Sequence, residues 1–379
     1  MKRALTVAAL LATGAVALLP SHGAAATTTT TDWKHLSPAT SPTSRFYIRN
    51  MMAYDAATSQ LILFGGEGIG PSNETWLWNG TTWTLLSPAT SPPARAGANL
   101  AFDAASNQLI LFGGKGLSAT PLSDTWAWNG TTWTNLNPAT TPTNRAGAMM
   151  AYDPVSSKLV LFGGASTSSL SFINSTYTWN GTDWTLVTTL PANTPSARWA
   201  SGIATDSTSG QVILFGGQGN SGALADTWVW NGTGWNQLSP AASPSTRVAP
   251  ALSDDPLLSG LVLFGGSHNG ASQNDTWTWN GSTWTLLTTA TTPPARDTGS
   301  LAFDTAASQL ILFGGETLTV GGAGGSILGD TWNLSTITTT VIPVPAAGAG
   351  LPLLAILLVA LGGAVLVGTK RIGTRRAAR

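Results

Sequence analysis

Six arginines recur at nearly constant spacing: Arg45, Arg95, Arg145, Arg198, Arg247 and Arg296, separated by 50, 50, 53, 49 and 49 residues. A guanidinium is always charged and offers a planar fork that fits carboxylates and carbonyls. Two chemistries follow. Each arginine clamps a blade junction, pairing with a repeat Asp or with loop carbonyls, or the six forks surround an axis and hold an anion. Glu67 and Glu316 each stand directly after a Gly-Gly pair. Asp297 and Trp199 follow Arg296 and Arg198 and lie outside the repeated pattern. Paired carboxylates beside an Asp and a Trp point to glycan binding, or to acid–base work on a glycan. The candidate binding residues are therefore the six arginines, Glu67, Glu316 and Trp199. No residue is assigned as catalytic on the main reading.

Other chemistry is excluded by composition. There is no cysteine, so there is no disulfide, thiolate metal site or cysteine nucleophile. Beyond residue 26 the histidines are His35 and His268, without a periodic relation, which is too few for a histidine metal site. No P-loop or G-x-S-x-G motif occurs, and no cofactor or metal is expected. The formal net charge is zero, which gives nucleic acid no electrostatic hold. Only 9% of residues are charged, while Gly numbers 43 and Trp 17 of 379. Average soluble chains carry about 25% charged residues. The composition suits an all-β protein that works outside the cytoplasm.

The elements that must position these residues come from a repeat. Phe-Gly-Gly begins at Phe64, Phe112, Phe162, Phe215, Phe264 and Phe313. Leu109–Phe112 is an apolar run too short for a helix and reads as a buried strand. Asp124–Trp128 alternates with period two, and Asn129-Gly130 is a hairpin signal. A two-residue turn there predicts Trp126 across from Trp133. Each repeat is then four short antiparallel strands. Asp55, Asp103, Asp153, Asp206, Asp304 and either Asp254 or Asp255 end first strands as turn residues. Glu74, Asp124, Asp226, Asp275 and Asp330 open third strands, with Ser175 or Thr176 in the third repeat.

Six four-stranded units of about 50 residues are the arithmetic of a β-propeller. The hydrophobic run before Gly-Gly and the W-x-W-N-G-x-x-W pattern resemble kelch repeats. The resemblance implies a six-bladed propeller over residues 27–335. The kelch enzyme galactose oxidase resembles the chain in fold, but its copper site uses a Tyr crosslinked to Cys, which a chain without Cys cannot build. The last repeat stops at Leu334, and Thr31–Pro38 matches Thr82–Pro88. The N-terminal strand should therefore close the last blade and cover its open edge. By strand parity the 4→1 and 2→3 connections share one face. The variable 2→3 loops make that face the expected binding surface for a glycan or protein partner.

The two ends read as addresses. Lys2, Arg3, the apolar run Ala4–Leu19 and Ala24-Ala25-Ala26 predict a signal peptide over 1–26. Residues 336–350 form a Pro/Gly/Ala linker. Residues 351–368 are apolar and long enough for a transmembrane helix. Residues 369–379 carry Lys370, Arg371, Arg375, Arg376 and Arg379, predicting a basic cytoplasmic tail. Val341-Ile342-Pro343-Val344-Pro345-Ala346 before that run resembles PEP-CTERM sorting signals. The resemblance implies processing near the Pro motif by a membrane-bound exosortase-type enzyme. Three functions stay open: a binding or adhesion module of the envelope, a carbohydrate-active enzyme using Glu67, Glu316 and Asp297, and a structural surface-layer component.

Overall fold

Each apolar run before Gly-Gly is the second strand of a four-stranded antiparallel sheet. In the first blade the strands are Met52–Asp55, Gln60–Phe64, Thr75–Trp78 and Trp83–Leu86. In the second they are Asn99–Asp103, Gln108–Phe112, Thr125–Trp128 and Trp133–Leu136. Six such sheets form a six-bladed β-propeller. This computed structural model describes residues 26–118, 120–166, 171–188, 194–319, 325–341, 356–361 and 364–369. The sixth blade takes Ser300–Asp304, Gln309–Glu316 and Ile327–Val341 from the C-terminal side. Its outer strand is Ala26–Leu36, paired with Ile327–Val341. The N-terminal segment thus completes the ring.

The hairpin register differs from the two-residue expectation. Trp128 pairs with Trp133, and Trp126 lies opposite Asn135. The connection is the four-residue loop Asn129–Thr132. Asn129 Oδ1 accepts the Thr131 and Thr132 backbone N–H groups, both at 3.0 Å. Only Gly130 needs a left-handed backbone, at φ 93°. The asparagine side chain closes the loop, so a second positive φ is not required. The longer loop brings the Trp128 and Trp133 rings to 5.3 Å, tilted by 45°.

Blades are joined through one tryptophan each. Trp133 donates its indole N–H to Thr75 Oγ1 of the first blade at 2.9 Å and packs on Phe64 at 5.1 Å. The same bond runs from Trp184 to Thr125, Trp235 to Thr176 and Trp284 to Thr227. Trp33 to Thr276 and Trp83 to Thr331 complete the circle. All six tryptophans are buried. A buried indole is a large apolar surface whose single donor must be satisfied, and the threonine of the preceding blade does so.

The described residues contain no helix long and apolar enough to cross a membrane. The expected transmembrane helix is not observed: the described parts of that segment, Ile356–Leu361 and Ala364–Thr369, are paired antiparallel strands. Their Val, Ile and Leu content suits a strand as well as a helix. These strands belong to a compact unit made of the two chain ends, separate from the unit Thr31–Thr336 that holds the propeller. The signal peptide, apart from Ala26, and the motif after Val341 lie outside the described residues.

Candidate functional site

The axis of the propeller is a closed ring of backbone hydrogen bonds. Gly97 N–H donates to Tyr47 C=O, Gly147 to Gly97, Ala200 to Gly147, Ala249 to Ala200 and Thr298 to Ala249, at 2.7–3.2 Å. Ile48 N–H closes it on Thr298 C=O at 3.1 Å. Tyr47, Gly97, Gly147, Ala200, Ala249 and Thr298 all sit at φ between 50° and 61°. Four of the six are not glycine, and such a conformation persists only where the surroundings over-determine it.

Blade one interrupts this symmetry. Ten residues separate Arg45 from Asp55, whereas eight separate the Arg and Asp of the other blades. The two extra residues deliver Tyr47 and Arg49 to the axis. Arg49 is 4% exposed, and its Nε and Nη1 find no protein partner among the described residues. Burial lowers its pKa to about 10, while the charge of Asp297 partly restores it. Its tip lies near Gly147, where a Cβ would stand 2.8 Å from the Trp199 ring and 3.3 Å from Arg49 Nη2. Only glycine fits there. Trp199 stacks on Phe172 at 6.4 Å and 21°. Its indole N–H, Asp297 Oδ1 and Thr298 Oγ1 are buried without a hydrogen-bond partner among the described residues.

Short bridges follow the same pattern in the blades around the axis. The residue after each Gly-Gly pairs with the residue after each repeat arginine: Glu67 with Phe46, Lys115 with Ala96, and Glu316 with Asp297. The carboxylates of Glu67, Glu316 and Asp297, all singled out in the sequence, stand close enough to act on one another, and Trp199 stands at Gly147 beside the tip of Arg49. Lys115 bonds Glu67 at 2.9 Å and lies 4.5 Å from the centre of the Tyr47 ring. Desolvation raises Glu316 to about 7, helped by the charges of Asp297 and Glu67 and opposed by Lys115. Desolvation raises Asp297 to about 6, against Ser267 and Arg49. Tyr47 is also raised, first by burial and then by the three carboxylates.

The six repeat arginines stand elsewhere. Arg95 is fully buried between blades one and two. Its backbone N–H donates to Ser72 C=O and its C=O accepts from Gly66, both in blade one. Its side chain turns into blade two, donating to Gly113 C=O at 3.0 Å and to both Asp124 oxygens at 2.7 Å. Asp124 also accepts the Trp126 indole N–H at 2.7 Å. Arg198, Arg247 and Arg296 repeat this fork on Asp226, Asp275 and Asp330, and Arg45 meets Glu74 through one nitrogen at 2.6 Å. Arg145 meets Ser175 and lies over Tyr177. All six are at most 2% exposed. These contacts match the clamp at a blade junction, and the expectation that the forks surround the axial opening is corrected: carbonyls and acids at the junctions take the donors of these six buried guanidiniums. Gly65 accommodates this clamp, since a Cβ there would stand 2.6 Å from Arg95 C=O.

Arg49, Tyr47 and Lys115 were missed in the sequence. The two-residue lengthening of blade one is the signal that marks the first two. Lys115 occupies the same post-Gly-Gly position as Glu67 and Glu316. Among the described residues no group of His, Cys, Asp and Glu is arranged to hold a metal ion.

No family model and no curated protein matches the chain. Among solved structures, one described as the structure of YjhT superposes with a TM-score of 0.58 at 15% identity. The match covers 87% of this chain and 99% of that one. At this identity the likeness is one of fold: the chain is a β-propeller similar to that of YjhT.

Proposed function

We propose that the chain is an exported, envelope-attached kelch-type propeller that binds a glycan or a polar segment of a protein at its axial mouth. One observation carries this reading. Arg49, Asp297, Trp199 and Thr298 carry buried donors and acceptors without partners among the described residues, and Arg49 feels the charge of Asp297 while its tip stands with Trp199 at Gly147. A ligand that supplies those hydrogen bonds recovers the desolvation cost of the buried groups. The half-buried Trp199 adds an aromatic surface against which a sugar ring packs. Export and attachment rest on the charged, apolar and small-residue order of 1–26 and on the apolar run with its basic tail at the C-terminus. The PEP-CTERM-like motif supports processing there by an exosortase-type enzyme.

A second reading has its own support. Near neutral pH Glu316, at about 7, is partly protonated while Asp297, at about 6, is mostly ionised, the division that an acid–base pair acting on a carbohydrate requires. A glycan array read both for binding and for product separates the two. Binding without turnover supports the module, and product supports the enzyme. Neither leaves a structural surface-layer component. Arg49→Ala should weaken binding about tenfold or more while the blade clamps stay intact. Unchanged binding by that variant would remove Arg49 and the buried groups around it from the site.

A further inference from the structure

The central channel opens a second time, on the face that carries the 1→2 turns. A cavity of about 290 Å³ lies there, lined by the first strands of all six blades. Its throat is mostly apolar, built from Met52, Leu100, Met150, Ile203, Leu252 and Leu301, with Asn50 and Ser253 also in the lining. Its rim is the residue before each turn aspartate: Tyr54, Phe102, Tyr152, Thr205, Asp254 and Phe303. All six are partly exposed.

Asp254 is the departure from the repeat. Asp255 performs the turn duty in blade five, since its Oδ1 accepts the Leu257 N–H at 3.0 Å. In blade two Asp103 accepts Ala105 N–H in the same way at 3.1 Å. Asp254 therefore owes nothing to the turn. Ser207 of the neighbouring blade donates its N–H to Asp254 Oδ1 at 3.1 Å and orients the carboxylate. No lysine or arginine lines the cavity, and Asp254 is its one charged residue. Desolvation raises its pKa, as an acid beside apolar walls without a countercharge requires.

The chemistry of this mouth is that of a cation receptor. Aromatic faces attract a cation through their quadrupole, and a partly desolvated carboxylate gains most from a positive charge beside it. The apolar throat takes methylene groups. We propose that this second mouth binds an aliphatic ammonium on an apolar stem, as a free alkylammonium or as the lysine side chain of a partner. The proposal is independent of the axial mouth on the loop face.

The test is calorimetric titration of the full chain with n-hexylammonium and with n-hexanol, which has the same stem without the charge. A Gly-Gly-Lys-Gly-Gly peptide and its acetyl-lysine form make the second arm. The ammonium should bind about tenfold more tightly than the alcohol. Asp254→Asn should abolish that preference, because the amide keeps the Ser207 bond and loses the charge. Tyr152→Leu should weaken the ammonium while sparing the alcohol, and it stands in if the first variant fails to fold. Preference for hexylammonium alone identifies a free ligand. Preference for the unacetylated peptide identifies a partner lysine. Equal binding of charged and neutral probes, binding that both variants leave unchanged, or no binding in either arm overturns the proposal.

Discussion

Blade three shows what the repeat acid does by lacking it. Ser175 and Tyr177 stand where the other blades carry Asp or Glu and, two residues on, Trp. Arg145 still donates to Thr143 C=O, Thr143 Oγ1, Gly163 C=O and Ser175 Oγ at 2.9–3.2 Å. It has no carboxylate, and burial lowers its pKa to about 10. Ser175→Asp should therefore stabilise the propeller by about 1–2 kcal/mol, read as a higher urea midpoint. Loss of stability in that variant would show that Tyr177 has already absorbed the charge. Glu316 gives the opposite kind of test. Its folded pKa of about 7 exceeds its ordinary value of 4.5, so the folded state binds more protons between those limits. Its contribution to stability is full at low pH and is lost as pH rises toward about 7. Glu316→Gln should flatten the change in urea midpoint between about pH 5 and about pH 8, and an unaltered slope would assign it to another group.

Among the elements, the N-terminal strand has the most to lose. Trp33 is buried against Phe264 at 5.3 Å and bonds Thr276 of blade five, as its counterparts bond the blades before them. Thr31 and Thr336 hydroxyls meet at 3.0 Å along the same seam. Removing residues 27–38 takes away one of the six tryptophan bonds and uncovers the edge of Ile327–Val341. An open edge strand is a template for pairing with another chain. The truncated protein should self-associate in light scattering and unfold at lower temperature. Trp33→Ala alone should cost about 3–5 kcal/mol. A truncated chain that stays monomeric with unchanged unfolding would contradict closure by this strand.

At the scale of the whole molecule, the proposal places the propeller outside the cytoplasmic membrane. A reporter fused after Arg379 should be cytoplasmic in the unprocessed precursor, and residues 40–335 should be open to protease in spheroplasts. A mature chain that ends near Pro345 would point to processing rather than retention of the tail. Recovery of the intact chain from the soluble cytosol would defeat both versions.

Blade number, strand order and the closing strand were legible because each rests on a local, repeated signal. Phe-Gly-Gly fixes where a buried strand meets a left-handed turn, and the unmatched Thr31–Pro38 reveals the missing fourth strand. Glu67, Glu316, Asp297 and Trp199 stood out as departures from the pattern, because subtracting a repeat exposes what it does not need. Three matters were decided only by tertiary structure. The turn length depended on Asn129 bonding its own loop, so Trp133 met Trp128 rather than Trp126. The direction of the arginine forks depended on which blade offered acceptors, since periodicity alone cannot distinguish an axial ring from six junctions. The placing of Arg49 depended on two extra residues in blade one. They carry Arg49 across the axis to Gly147 of blade three, where the absence of a Cβ leaves room for it beside Trp199. That contact joins residues about 100 positions apart, and no local pattern of side chains encodes it.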